Sequence, residues 1–178
     1  MIDLNLENLR EGNSGIGRAS LLESELKDKF LFGEIPYGTK MLREKYNIID
    51  TGFTRADILS YIAFYEAISD AGLDKNDIES QDTAFISAST SGGLSEFNNF
   101  YYDAQGDCES SEFIGTYSCD AHADKIIQNY KISGITSVIN TACSSSLNAI
   151  IFGYRLIKTG RVSRAIVGGV DGLNKFSV

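Results

Sequence analysis

The sequence has one histidine, one proline (Pro36) and only three cysteines (Cys108, Cys119 and Cys143). Each shortage closes off a class of protein. The cysteines are odd in number and lack a C-x-x-C pair, which argues against a disulfide framework and against a zinc site. A reducing cytoplasm is the expected compartment. With one proline and no internal repeat there is no proline-rich linker. The apolar runs, such as 132–139 and 149–156, break off well short of the roughly 18 residues a membrane helix needs, so no membrane span is expected. The opening Met-Ile-Asp-Leu-Asn-Leu-Glu is acidic and has neither the basic nor the apolar region of a secretory signal. A formal net charge of −8 disfavours nucleic acid as a partner.

What is present fits one soluble globular domain: 178 residues, 43% of them hydrophobic and 22% charged. The acidity is uneven. From Lys125 to Val170 there is no Asp or Glu, while Lys125, Lys131, Arg155, Lys158, Arg161 and Arg164 are basic. Near a helix C-terminus such residues complement the dipole; a docking surface for an acidic partner is the alternative. The glycine-rich stretch Gly12–Gly17 follows no strand signal and reads as a surface loop rather than a phosphate cradle.

Hydrophobic spacing places the elements. Thr54-x-x-Asp57 caps a helix running to Ala71, with Ile58, Leu59, Ile62, Tyr65 and Ile68 along one stripe and Gly72 ending it. Thr83–Ala88 reads as a buried strand leading into a Ser-Thr-Ser-Gly-Gly turn. Residues 94–119 are polar and aromatic without a clean period. They read as helix and loop, and core packing is the default for their aromatic residues, including Phe113. Asp120 begins a helix with Ala123, Ile126, Ile127 and Tyr130 on one face. The last third reads as strand (134–139), helix (144–159, apolar at Leu147, Ile150, Ile151, Tyr154 and Ile157) and strand (165–167). Strand, helix, strand in under forty residues is a crossover between parallel strands, so the class is α/β.

Within that crossover, Asn140-Thr141-Ala142-Cys143-Ser144-Ser145-Ser146 falls where a strand hands over to a helix. Ligands bind at the carboxyl ends of strands in open α/β sheets. The first turn of a helix offers unpaired N–H groups that favour an anion, whether a thiolate or the oxyanion of an attacked thioester. Cys143 is therefore a candidate acyl-accepting nucleophile among small neighbours. A buried, inert cysteine is the competing reading, and spacing alone leaves both open.

Residues 140–147, Asn-Thr-Ala-Cys-Ser-Ser-Ser-Leu, resemble the active-site block of β-ketoacyl synthases. The resemblance extends in order along the chain, through Leu9–Ile16, Ala67–Leu73, Ser87–Gly93, Gly160–Val162 and Val167–Asp171. It implies a thiolase-like layered fold, a mixed, mostly parallel sheet covered by helices, and residues 1–178 as an incomplete N-terminal synthase domain. By the resemblance, Cys143 takes an acyl group from the phosphopantetheine of an acyl carrier protein, with no other cofactor and no metal. A decarboxylated malonyl thioester then attacks, in fatty acid or polyketide synthesis. A homodimer, or a heterodimer with a related synthase subunit, is the expected assembly.

Two departures stand out. The family's two downstream histidines, supporting lysine and second oxyanion donor have no counterparts here; His122 lies upstream of Cys143 and reads as a solvated or satisfied helix residue. The family's first, central strand also lacks a counterpart, which leaves an expected gap in the sheet. Two other functions compete. A non-catalytic chain-length-factor-like subunit is disfavoured by the cysteine itself. A cysteine hydrolase on another α/β fold would need a G-x-C-x-G elbow and a downstream histidine.

Overall fold

The computed structural model describes residues 2–49, 52–106, 111 and 114–174. Along the described chain run α1 (Ile2–Glu11), α2 (Thr39–Lys45), α3 (Arg55–Asp70), α4 (Lys75–Glu79), β1 (Thr83–Ala88), α5 (Phe97–Gln105), α6 (Ala121–Tyr130), β2 (Thr136–Ile139), α7 (Ser145–Lys158) and β3 (Arg164–Val167).

The capping box of α3 forms as its sequence dictates. Thr54 Oγ1 accepts from the Asp57 N–H at 3.1 Å, and Asp57 accepts from the Thr54 N–H at 2.8 Å, so two end donors are satisfied together. Gly72, at φ +63°, closes the helix in the left-handed region that glycine adopts without steric cost. Ile58, Ile62 and Ile68 are buried, but Tyr65 is exposed and Phe64 occupies the core instead. Asp120 precedes α6 as expected, although its side chain makes no cap hydrogen bond.

Strand β1 is buried at all six positions and lies between its neighbours in the order β2-β1-β3, with all pairings parallel. Its register aligns Phe85 with Thr136 on one side and with Ile166 on the other. As expected, no strand precedes β1 among the described residues; both edges of β1 are paired, and β2 and β3 form the edges of the three-stranded sheet. The isolated Gly17–Phe32 bridge is the one antiparallel pairing among the described residues. Alternation along β1 divides the core. Phe85 packs with Phe64, Ile68, Ala123 and Ile126 under α3 and α6. Ala84, Ile86 and Ala88 face Ala149 and Leu156 of α7. The result is three layers, α3 and α6, then the sheet, then α7.

Helix α7 reverses an expectation. Its apolar stripe faces outward, with Leu147 60% and Tyr154 59% exposed, while Ser145, Ala149, Gly153 and Leu156 face the sheet. Close approach is the reason. A Cβ on Gly153 would lie 2.5 Å from Val167 Cγ1, so a side chain at this position would push the helix off β3. The aromatic residues of 97–117 also depart from core packing. No residue of α5 is buried, and Phe97, Tyr101, Tyr102 and Tyr117 are exposed, with Phe97 and Tyr117 in ring contact. No described helix is long and apolar enough to cross a membrane. Cys108 and Phe113 lie outside the described residues.

Candidate functional site

The turns that follow β1, β2 and β3 meet at the carboxyl edge of the sheet. After β2 the chain must bend sharply to enter α7, and Ala142 takes the bend at φ +54°. Among the described residues only Asn47 and Lys131 share this left-handed conformation without being glycine, and Lys131 sits at a helix end, where that conformation is common. A side-chain-bearing residue held there costs on the order of 1–2 kcal/mol and persists only when its surroundings fix it.

The serines supply that fixation. Ser145 Oγ accepts from the Thr141 N–H at 2.8 Å and donates to the Ala142 carbonyl at 2.6 Å. That carbonyl also accepts from the Ser145 N–H at 3.1 Å and from Thr90 Oγ1 at 3.2 Å. Ser144 Oγ donates to the Thr141 carbonyl, and Asn148 Nδ2 donates to Thr141 Oγ1 at 2.8 Å. The small residues around Cys143 thus leave space and also lock the bend.

Cys143 is exposed and stands immediately before Ser144, the N-cap of α7. Its side of the bend lines a cavity of about 230 Å³ together with Ser89, Thr90, Ser146 and Asp171. A larger cavity of about 480 Å³ shares Thr90 and Asp171 with it and is walled by Leu21, Leu22, Ile35, Leu59 and Leu173. A thiol open to solvent, beside a mostly apolar recess and at the amino end of a helix, is placed to attack a carbonyl carbon.

Asp171, quoted above only as part of a motif, proves central to the site. Burial opposes its ionisation. The N–H groups of Ser91 and Thr90, with the hydroxyls of Ser91 and Ser89, outweigh that and hold the carboxyl below its ordinary range. Thr90 was equally hidden in the sequence, since nothing in its spacing from Ala142 announces a contact 52 residues away.

His122 is placed elsewhere. It is buried, and its Nε2 lies 2.7 Å from Ser87 Oγ on the α6 side of β1, the side away from α7. Burial pushes the imidazole below its usual range, partly opposed by Asp57, by a hydrogen bond to the Cys119 backbone and by Asp171 and Asp120. It is a satisfied histidine, not a solvated one. Cys119 is tied to both flanks of the site: it donates to the Thr90 carbonyl at 3.5 Å and accepts from Asn140 Nδ2 at 3.4 Å. Of the basic group, Arg164 pairs with Asp77. Lys158 lies over the Tyr154 ring, and Arg155 and Lys158 occupy the last turn of α7, about 20 Å along the helix from Cys143.

Known proteins resemble this chain in sequence and fold. The β-ketoacyl synthase N-terminal domain profile matches residues 3–176. The 3-oxoacyl-[acyl-carrier-protein] synthase 1 of Escherichia coli (strain K12) is 26% identical over 177 residues, covering 94% of this chain and 42% of that protein. Probable polyketide synthase 31 of Dictyostelium discoideum is 37% identical over 108 residues, covering 60% of this chain and 4% of that protein. The ishigamide ketosynthase/chain length factor superposes with a TM-score of 0.81 at 20% identity, over 96% of this chain and 43% of that one. The chain thus spans less than half the length of each of these relatives. A thiolase-like sheet with a cysteine bend at its carboxyl edge and a profile match across nearly every residue lead to one conclusion: the chain belongs to the β-ketoacyl synthase family, in its N-terminal domain.

Proposed function

We propose that Cys143 is the acyl-accepting nucleophile of a β-ketoacyl-acyl carrier protein synthase. Its sulfur attacks the thioester carbonyl of an acyl group carried on phosphopantetheine. The tetrahedral oxyanion collapses, the carbon–sulfur bond to pantetheine breaks, and the donor thiol leaves with the proton as Cys143 keeps the acyl group. A malonyl thioester then loses carbon dioxide, and its carbanion attacks the acyl carbon and expels the Cys143 thiol. The product is a 3-oxoacyl thioester two carbons longer. The observation that carries this reading is the exposed thiol at the start of α7, on a backbone bend held in a costly conformation.

The chain's single histidine is buried on the far side of β1, so this polypeptide alone accepts an acyl group without completing the condensation. An acyl carrier protein is the donor, and a related synthase subunit the partner. The ketosynthase/chain length factor similarity and the exposed apolar face of α7 support a paired assembly. The cytoplasm, where thiols stay reduced, is the proposed location. A second reading, a non-catalytic chain-length-factor-like subunit, draws on the same similarity but leaves Cys143 unexplained. Cerulenin, an acyl-chain mimic that alkylates thiols, tests the choice by peptide mass mapping. Modification of Cys143 in preference to Cys108 and Cys119 supports the nucleophile, and equal or absent modification of Cys143 rejects it.

A further inference from the structure

Three turns separated by about 50 and 30 residues in sequence converge on the Cys143 bend, and one carboxylate joins them. Asp171 Oδ1 accepts four hydrogen bonds from the turn after β1: Ser89 Oγ at 3.1 Å, and the Thr90 N–H, the Ser91 N–H and Ser91 Oγ at 2.9 Å each. Asp171 is itself delivered by backbone. The Gly168 N–H donates to the Ile86 carbonyl at 3.1 Å and the Val170 N–H to the Ala88 carbonyl at 2.9 Å, prolonging the sheet ladder past β3. Gly169 permits this path. A Cβ there would lie 2.3 Å from Ser146 Oγ and 3.0 Å from Ala88 Cβ, between the start of α7 and the end of β1.

The clamped turn then reaches the nucleophile bend through one side chain. Thr90 gives its N–H to Asp171 and its hydroxyl hydrogen to the Ala142 carbonyl, and its Oγ1 lies 3.5 Å from Ser145 Oγ. Its carbonyl meanwhile receives Cys119 Sγ. Ala142 is the residue at positive φ, so the relay ends on the strained peptide beside Cys143.

We propose that Asp171 is a positioning residue for Cys143, acting through Thr90 to hold the Ala142–Cys143 bend in the conformation that presents the thiol. The inference builds on Cys143 as the reactive thiol of the proposed function and adds the device that keeps it presented. Without the clamp, Ala142 relaxes to negative φ and turns Cys143 away from the start of α7 and its N–H groups.

The test follows alkylation of Cys143 by iodoacetamide at pH 7, quantified by peptide mapping, with the urea midpoint of each variant recorded in parallel. Thr90→Val removes the donor and leaves the carboxylate in place, whereas Thr90→Ser restores the donor. Asp171→Ala removes the acceptor, whereas Asp171→Asn retains one acceptor oxygen without the charge. The expected result is a roughly tenfold slower Cys143 reaction in Thr90→Val and Asp171→Ala. Thr90→Ser and Asp171→Asn should stay within about threefold of the parent, and the Thr90→Val/Asp171→Ala double variant should be no slower than the slower single one. Cys143 reacting within twofold of the parent in both Thr90→Val and Asp171→Ala, whatever happens to the urea midpoints, overturns the proposal and leaves only a structural clamp. Iodoacetamide reports on the thiol whether or not it takes an acyl group. Failure here therefore leaves the acyl-acceptor reading standing, and failure of acyl labelling leaves this one standing.

Discussion

The pair of glycines after β1 is the sharpest place to test how the site is walled. A Cβ built on Gly93 would lie 1.7 Å from the Thr116 carbonyl oxygen and 2.5 Å from its carbon, so the two backbones must part by more than an ångström in Gly93→Ala. Neither contact is the end of a flexible side chain, so the strain cannot be relieved by a rotamer change. Overpacking of this kind costs typically 1–3 kcal/mol, and a backbone clash belongs at the upper end, about 2–3 kcal/mol. With a urea slope of roughly 2 kcal/mol per molar, the unfolding midpoint should fall by about 1 M or more. The consequence reaches the site as well, because this turn carries Thr90. A shift of that size takes Thr90 Oγ1 out of reach of the Ala142 carbonyl, now 3.2 Å away. Gly115→Ala is the matched control: it adjoins Thr116, yet its Cβ would meet nothing within 4 Å. Urea denaturation of the two variants decides the matter. Equal midpoints for Gly93→Ala and Gly115→Ala would refute the argument.

Two further predictions follow from the packing and the buried histidine. Leu147→Ser and Ile150→Ser change exposed positions on α7 and should alter stability by no more than about 0.5 kcal/mol, whereas Leu156→Ala on the sheet side should cost about 2–4 kcal/mol; urea unfolding separates the two faces. His122 is held below its ordinary range when folded, so the folded state binds fewer protons than the unfolded chain. The stability this contributes is complete above the unfolded value, near 6.5, and is lost as pH falls through that value toward the lowered one. His122→Gln should therefore flatten the fall in stability as the pH drops below about 6.5, and an unchanged slope would count against burial as the cause.

Local signals gave most of the architecture. Strand β1 was legible because six consecutive residues suit a position buried on both faces, and α3 because its cap, stripe and terminal glycine agree. Cys143 was legible because the strand-to-helix junction is itself a local feature. The facing of α7 was not, since hydrophobic spacing marks a stripe without saying which side meets the sheet. There the decision lay with Gly153 and the closeness of Val167. Asp171 and Thr90 were hidden for a related reason. Their partners lie about 80 and 50 residues away, and no periodicity encodes a contact between turns of different strands.

The central claim rests on one sulfur atom, and acyl transfer addresses it directly. The chain is incubated with an acyl-pantetheine thioester, and its intact mass and peptides are then measured. The account predicts a single added acyl group located on Cys143 and none in Cys143→Ala. An acyl group on Cys108 or Cys119 instead, or an unmodified Cys143 in the folded chain, would contradict it.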